Sequence, residues 1–467
     1  MVSPVAEAPF DLGHPRRVHI VGVGGTGMSA IATVLAEMGH DVSGSDLVMG
    51  APLERLAALG VAIHIGHDPH WITGVDAVTW SSAVPASNVE VEAARRSGIT
   101  VLSRAKMLAA VCATGRSVAV AGTHGKTTTS SMLALILIEA GLHPSFVIGG
   151  DIKELGAGAR WDQAGSLLVV EADESDGTFL ELHAPAVVVT SVEPDHLDYY
   201  GSLDAMEAAY GAFLGAAPGP RVVCADDEVA VRLAAEAGGA VSYGTSPKAT
   251  LRMVDVTLAR DHGRFCLQRD GADVGVIDLS VPGIHNARNA AGAVTIALEL
   301  GAPFEAAARA LRHYRGVARR FEWRGERDGV TFVDDYGHLP SEVGAALAAA
   351  RTGGWGRVVA VFQPHRYTRT ARLWQHFADA FVDADLLVLT DVYAAGETPI
   401  PGVSGQLIAD AVRQAHPGAE VIYVAGREGL AAAVGALLRP GDLCCTLGAG
   451  DVTALAGELL GQGKGGE

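Results

Sequence analysis

Two short stretches constrain this chain more than any others, VGVGGTGMS at 21–29 and AGTHGKTTTS at 121–130. Each follows an apolar run, RVHIVGVG or SVAVAGT, and each leads into a stretch with helical spacing. A strand that enters a glycine-rich turn and leaves it as a helix aims several backbone N–H groups at one spot, which is the geometry of a phosphate cradle. Such a unit is part of a layer of helices packed on a parallel sheet, so the chain needs at least two α/β units, one for each loop.

The length of 467 residues argues for roughly three domains at about 150 residues each. Further apolar runs, SLLVVEAD, AVVVTSV, RVVAVFQ and DLLVLTDVY, alternate with helical stretches and continue the α/β pattern to the C-terminus. New units begin near Arg116, where SVAVAG follows the helical AKMLAAVCATG, and near 319–322, before GVTFVDDYGH. The expected architecture is a Rossmann-like domain at 1–115, a central P-loop domain at 116–318 and a Rossmann-like α/β domain at 319–467.

A formal net charge of -18 opposes binding to nucleic acid, which needs cations to displace the counterions of phosphates. No stretch of 18 consecutive apolar residues is present, and the N-terminus has prolines and acids where a signal peptide needs a basic, then apolar, start. A cytoplasmic protein with no membrane partner is expected. The five cysteines show no C-x-x-C spacing and read as small buried hydrophobes.

In the first loop Gly22, Gly24 and Gly27 fit G-x-G-x-x-G, and Ile31, Val34, Leu35 and Met38 share one face of the helix that follows. Asp46 lies about twenty residues farther on, where a carboxylate accepts hydrogen bonds from a ribose. A tight strand-to-helix turn alone would also use the glycines, but the complete unit favours nucleotide binding. Which nucleotide is left open by these residues.

The second loop departs from G-x-x-x-x-G-K-[ST] by carrying Val120 in place of the first glycine, leaving G-T-H-G-K-T. Its chemistry is intact, because Gly122 and Gly125 let the backbone wrap phosphate, Lys126 supplies a point charge and Thr127 a hydroxyl for Mg²⁺. Beyond the next apolar run, EADESD places Glu171, Asp173, Glu174 and Asp176 at a strand end. Beyond the one after that, EPDHLDYYG adds Glu193, Asp195, His196 and Asp198. Clustered acids are often only a solvated loop, but with Lys126 and Thr127 nearby a magnesium-nucleotide site is the better reading.

These motifs, with PGIHNARN, RRFEW, DDYGH, FQPHRYTRT and DVYAAGETPIPG in that order, resemble the ATP-dependent Mur ligases of peptidoglycan precursor synthesis over nearly the whole chain. The likeness is greatest to the branch that adds L-alanine to UDP-N-acetylmuramate. It implies a first domain that holds the UDP part of the substrate, a central domain that holds ATP and a third that admits the amino acid, so that the two loops serve two nucleotides.

Carried over by position, the resemblance implies that Gly24, Gly25, Thr26 and Gly27 contact the diphosphate, with Asp46, Ser81 and Ser82 nearby. Gly122, Thr123, His124, Gly125, Lys126, Thr127 and Thr128 would hold the ATP phosphates, and His285, Asn286, Asn289 and Arg320 would complete that site. Thr127, Glu174 and His196 would be metal ligands for Mg²⁺, with Mn²⁺ as a substitute. Tyr336, His365, Arg366 and Arg369 would face the muramyl group and L-alanine. Lys126, Glu174, His196, Asp335, His338 and Arg366 would carry the catalysis, in a monomer or a homodimer.

A carboxylate is a poor electrophile, so its oxygen must be phosphorylated before an amine can displace phosphate, and the intermediate implied is an acyl phosphate. Two departures from the family pattern stand out. Leu339 occupies the place of a second histidine after His338, and 201–218 contains no lysine to be carbamylated, as several sister ligases require. The alternatives are a recycling ligase that joins a tripeptide to the same nucleotide sugar and, from another class, an NAD-dependent oxidoreductase. The latter explains Gly22, Gly24, Gly27 and Asp46 but leaves GTHGKTTT and EADESD without a purpose.

Overall fold

The computed structural model describes residues 9–81 and 83–461. The fold is α/β throughout, as expected, with the strands gathered into a five-stranded, a ten-stranded and a six-stranded sheet. Two compact units are formed, one from Met1–Asp255, Phe265–Asp278 and Arg288–Tyr314, the other from Val256–Arg264, Leu279–Ala287 and Arg315–Glu467.

In the first unit, the five-stranded sheet runs Ala62–Ile65, Asp41–Asp46, Arg17–Val21, Ala77–Trp80, Thr100–Ser103, with every neighbouring pair parallel. Helices cover both faces, and this is why RVHIV is apolar almost without interruption and buried from Val18 onward. Helix Thr26–Glu37 buries Ile31, Val34 and Leu35, the face that the spacing predicts. The strand order reverses between Arg17–Val21 and Ala77–Trp80, and a crevice opens beyond the carboxyl ends of strands at such a point.

The ten-stranded sheet is built around Arg116–Ala121, which pairs in parallel with Leu167–Glu171 on one side and Ala186–Val189 on the other. All six residues but Arg116 are buried. The turn that follows feeds helix Lys126–Glu139, which is buried along most of its length from Thr127 to Leu137. A buried hydrogen bond of 2.8 Å between Ser131 Oγ and Tyr314 Oη pins its middle. One apolar cluster runs from Val18 and Ile20 through Met107 and Leu108 to Val170, Val189 and Phe213, so the first two sheets share a core.

In the second unit, the six-stranded sheet runs Glu322–Arg327, Val330–Asp335, Asp442–Leu447, Arg357–Phe362, Leu386–Thr390, Val421–Val424. Glu322–Arg327 is an antiparallel edge strand and the other pairs are parallel. Alternate residues feed opposite clusters, Phe332, Val359, Val361 and Cys444 on one face, Val333, Ala360, Phe362 and Cys445 on the other. The adjacent cysteines therefore point apart. All five thiols are free and buried, and burial pushes Cys112 and Cys444 up to about 12, which suits inert packing residues. Among the described residues no helix is long and apolar enough to cross a membrane.

Gly44 shows how closely the N-terminal layers approach: a Cβ there would lie 2.7 Å from Cβ and Cγ1 of Val23, itself fully buried. Gly44→Ala is expected to destabilise the protein by about 1–3 kcal/mol through overpacking, read as a lower thermal midpoint, and Val23→Ala in the same chain should recover part of the loss.

Candidate active site

The central loop begins where strand Arg116–Ala121 ends. Gly122 has φ +137°, and a Cβ there would fall 2.1 Å from Thr190 Oγ1, so only glycine lets the loop pass the neighbouring strand. Gly125, at φ +81°, caps helix Lys126–Glu139 and leaves room for Asn289, whose Oδ1 would be 2.3 Å from an added Cβ. The first amides of this helix have no partner within it, and with the helix dipole they favour an anion.

Lys126 folds back over the loop. Its Nζ donates to Gly122 O at 2.7 Å and to Glu174 Oε1 at 2.8 Å. Burial pulls the ammonium down, but the carboxylates of Glu174, Asp173 and Glu171 together outweigh it, and Lys126 is held charged with a raised pKa. Burial raises Glu174, opposed by Lys126. Asp173 is half-buried, yet Lys126, the Ser175 amide and Arg104 overcome the desolvation penalty and bring it down to about 2.

Three adjacent strand ends supply the other groups. Thr127 Oγ1 donates to Glu171 Oε1 at 3.0 Å, and Glu171 Oε2 accepts from the Gly149 amide at 2.7 Å. From the third strand end, Thr123 Oγ1 bonds the Glu193 backbone, and His124 Nε2 lies 3.2 Å from Glu193 Oε2. His196, at φ +51°, places Nε2 3.1 Å from Asp195 Oδ2 and 3.8 Å from Glu174 Oε1. Tyr200 Oη donates to Glu174 O at 2.6 Å. Thus Gly122, Thr123, His124, Gly125, Lys126, Thr127, Glu174, His196 and Asn289 form one constellation. Asn286, in the other unit, donates Nδ2 to Pro282 O at 2.7 Å, and the His285 ring lies against Gly283.

No group of three or more His, Cys, Asp and Glu among the described residues is arranged as a ready-made metal site. The donors around Lys126 are nevertheless hydroxyl and carboxylate oxygens with one imidazole, and the carboxylate of Glu174 now serves the lysine. Such a set fits Mg²⁺, a hard cation that takes one or two protein oxygens and completes its shell with water and phosphate.

At the first loop, Gly22 and Val23 donate to Ser45 O, and Asp46 accepts from the Gly24 amide at 2.8 Å and the Leu47 amide at 2.7 Å. Asp46 therefore shapes the loop itself. Gly22, Gly24, Gly25, Asp46, His67 and Ser81 line a cavity of about 780 Å³, ample for a nucleotide. Ser82 lies outside the described residues. His67 and its partner Glu90 carry no sequence signal. Glu90 is completely buried on helix Val89–Arg96 and accepts from Ser45 Oγ at 2.6 Å and the Asp68 amide at 3.0 Å, with His67 Nδ1 at 3.3 Å.

In the second unit, Asp335 accepts from the Gly337 and Phe321 amides at 2.7 Å each. Burial raises its pKa against the pull of Arg320. The Tyr336 ring faces Arg319 at 4.9 Å and Arg320 at 5.2 Å. The rings of His338 and His365 are 5.7 Å apart. A guanidinium can only donate, so Arg369 Nη1, 3.1 Å from His365 Nδ1, fixes the proton of that ring on Nε2. Burial, then His338, Arg369 and Arg366, lower His365 to about 3, so it is neutral near pH 7. Arg366 adopts φ +69° at the start of helix Tyr367–Leu373. Leu339 is buried at 4% exposure, in the core.

A strand-loop-helix cradle for each of two anions, with a cation and carboxylates at the second, defines a modular nucleotide-dependent α/β enzyme. The Mur ligase family, catalytic domain, matches residues 17–116, the Mur ligase middle domain 120–297 and the Mur ligase, glutamate ligase domain 319–450. The chain is 45% identical to UDP-N-acetylmuramate--L-alanine ligase of Solidesulfovibrio magneticus, over 96% of this chain and 99% of that one. It is also 45% identical to the ligase of the same name from Myxococcus xanthus, over 97% and 96%. The solved structure of UDP-N-acetylmuramate-alanine ligase from Thermotoga maritima superposes with a TM-score of 0.79 at 27% identity, covering 96% of this chain and 99% of that one. This chain belongs to the Mur ligase family.

Two outcomes follow from these charges. Lys126→Ala leaves Glu174 buried beside Asp173 without its cation, and should cost about 3–5 kcal/mol, much of it regained in Lys126→Ala/Glu174→Gln on thermal melting. His365 binds its proton more readily unfolded than folded, so its contribution to stability is complete above 6.5 and is lost as pH falls toward about 3. His365→Gln should flatten the acid dependence of the melting temperature in that window.

Proposed function

We propose that this Mur ligase uses ATP to join L-alanine to the lactyl carboxylate of UDP-N-acetylmuramate, giving ADP and phosphate, as a cytoplasmic step of peptidoglycan precursor synthesis. The observation that carries the reading is the convergence of the glycine loop, Lys126 and the carboxylates of Glu171, Asp173 and Glu174 at one sheet edge. That edge lies in a chain matching alanine-adding relatives from end to end. The domain bounds 1–115, 116–318 and 319–467 belong to the same proposal.

The substrate carboxylate attacks the γ-phosphorus of ATP, ADP leaves, and the amine of L-alanine then displaces phosphate from the acyl phosphate. Amides of the loop and the first helical turn cradle the phosphates, while Lys126 meets charge that develops as the phosphoryl group moves. Thr127, Glu174 and His196 would hold Mg²⁺ or Mn²⁺, which when bound neutralises phosphate charge and polarises the transferring group. The first cavity takes the UDP part, with Gly24, Gly25, Thr26 and Gly27 toward the diphosphate.

In the second unit, Asp335 and its two amide donors hold the turn that carries Tyr336 and His338. His338 Nδ1 lies 3.1 Å from Tyr336 O, which only accepts, so in the neutral ring the lone pair is on Nε2. His338 is thereby set to take a proton from the ammonium of the amino acid. His365, with its proton on Nε2, offers a hydrogen bond to a carboxylate, and Arg366 and Arg369 supply the positive charge that an amino acid and a muramyl carboxylate require.

The test is phosphate release from magnesium ATP with UDP-N-acetylmuramate, adding L-alanine, L-serine, glycine or tripeptide in turn. Release that needs L-alanine and falls by two or more orders of magnitude in Lys126→Ala is expected. Release with tripeptide alone would move the activity to the recycling ligase, and none with any amine would overturn the reading.

A further inference from the structure

Arg104 opens helix Arg104–Cys112, directly after the last strand of the five-stranded sheet, but its guanidinium serves another part of the unit. Nη2 donates to Asp173 Oδ2 at 3.1 Å and to Asp176 Oδ2 at 3.2 Å, in the carboxylate cluster beside Lys126. The same group stands over the first loop. A methyl placed on Gly27 would lie 3.2 Å from Nη1 and 3.6 Å from Cδ, so the arginine packs directly against the first turn of helix Thr26–Glu37. Its Nε is buried and makes no hydrogen bond. A buried guanidinium N–H without an acceptor is costly, and its neighbourhood is the turn that would receive a diphosphate.

The two anionic demands on this group compete. One guanidinium cannot neutralise two carboxylates and a diphosphate together. Resting on the two-nucleotide reading above, we propose that Arg104 is a positioning residue shared by the two phosphate sites, held by Asp173 and Asp176 when both are empty and transferred to the diphosphate of the UDP substrate when the magnesium nucleotide occupies the second loop. With a divalent cation held at the second loop, Asp173 and Asp176 would no longer depend on Arg104 for positive charge, and the guanidinium would be free to turn toward the first loop. Diphosphate drawing Arg104 away leaves the carboxylates more negative and more receptive to the cation. Each ligand thus frees the group that the other needs, and the coupling is positive and reciprocal.

The probe is uridine diphosphate, titrated calorimetrically into the full chain with and without Mg²⁺ and a non-hydrolysable ATP analogue. In the wild type its affinity should rise about fivefold or more when the magnesium nucleotide is present, within the usual range of coupling between sites. Arg104→Gln should bind uridine diphosphate more weakly and show no such rise, while Arg104→Lys should retain part of the affinity without the simultaneous grip on both carboxylates. Asp176→Asn loosens the resting contact, so without magnesium nucleotide it should already bind uridine diphosphate more tightly than the wild type does. Equal affinities with and without the nucleotide in the wild type, or full coupling in a folded Arg104→Gln, would overturn the proposal. Failure of uridine diphosphate to bind at all would instead bring down the two-nucleotide reading itself.

Discussion

A parallel strand covered by helices on both faces has no length along which to do chemistry, and every functional group of this protein obeys that constraint. Arg116–Ala121 is buried from its second residue, and the first position free to meet a ligand is the turn at Gly122. The cradle at 22–25 follows Arg17–Val21 in the same way, Asp335 is the last residue of Val330–Asp335, and His365 follows the end of Arg357–Phe362. Functional groups far apart in sequence meet because carboxyl ends of neighbouring strands lie side by side.

Charge is the second organising quantity. Around the central loop, Asp173, Glu174 and Asp176 are answered by Lys126 and Arg104 at 2.8 to 3.2 Å. Glu174 is out of water, and a carboxylate there is tolerable only when paired. Lys126 and Arg104 are therefore already in place at the loop as internal counterions of these acids. In the C-terminal unit, burial keeps His365 neutral, helped by His338 and the arginines beside it, while backbone amides hold Asp335 in its turn.

Much of the site was legible because its signals are local. At the two glycine-rich loops the left-handed or near-mirror φ values fall on Gly22, Gly122 and Gly125, and glycine is the residue that makes them cheap, so these turns can be read directly from the chain. The missing glycine at 120 is harmless for the same reason, since Val120 is a fully buried strand residue that precedes the turn. Leu339 is a core residue at the start of helix Pro340–Arg351, which leaves His338 as the histidine of that turn facing His365. Arg104, His67 and Glu90 gave no signal. A lone arginine at a helix start and a glutamate in an amphipathic helix look like solvated surface until their partners are known.

The amino-acid sequence by itself determined the α/β class, the positions of the two cradles and the acids grouped beyond two apolar strands, because strand burial, helix periodicity and glycine conformations depend on near neighbours in the chain. Which acid meets which cation was decided by tertiary structure. Leu167–Glu171 inserts between Arg116–Ala121 and Ser145–Ile152, although it follows both in sequence, and that crossover sets Glu174 against Lys126. The placing of Arg104 between Gly27 and Asp173 depends in turn on the core that the first two sheets share. Long-range strand order and packing between layers leave no periodic trace in the sequence, and so these pairings could be read only from the folded chain.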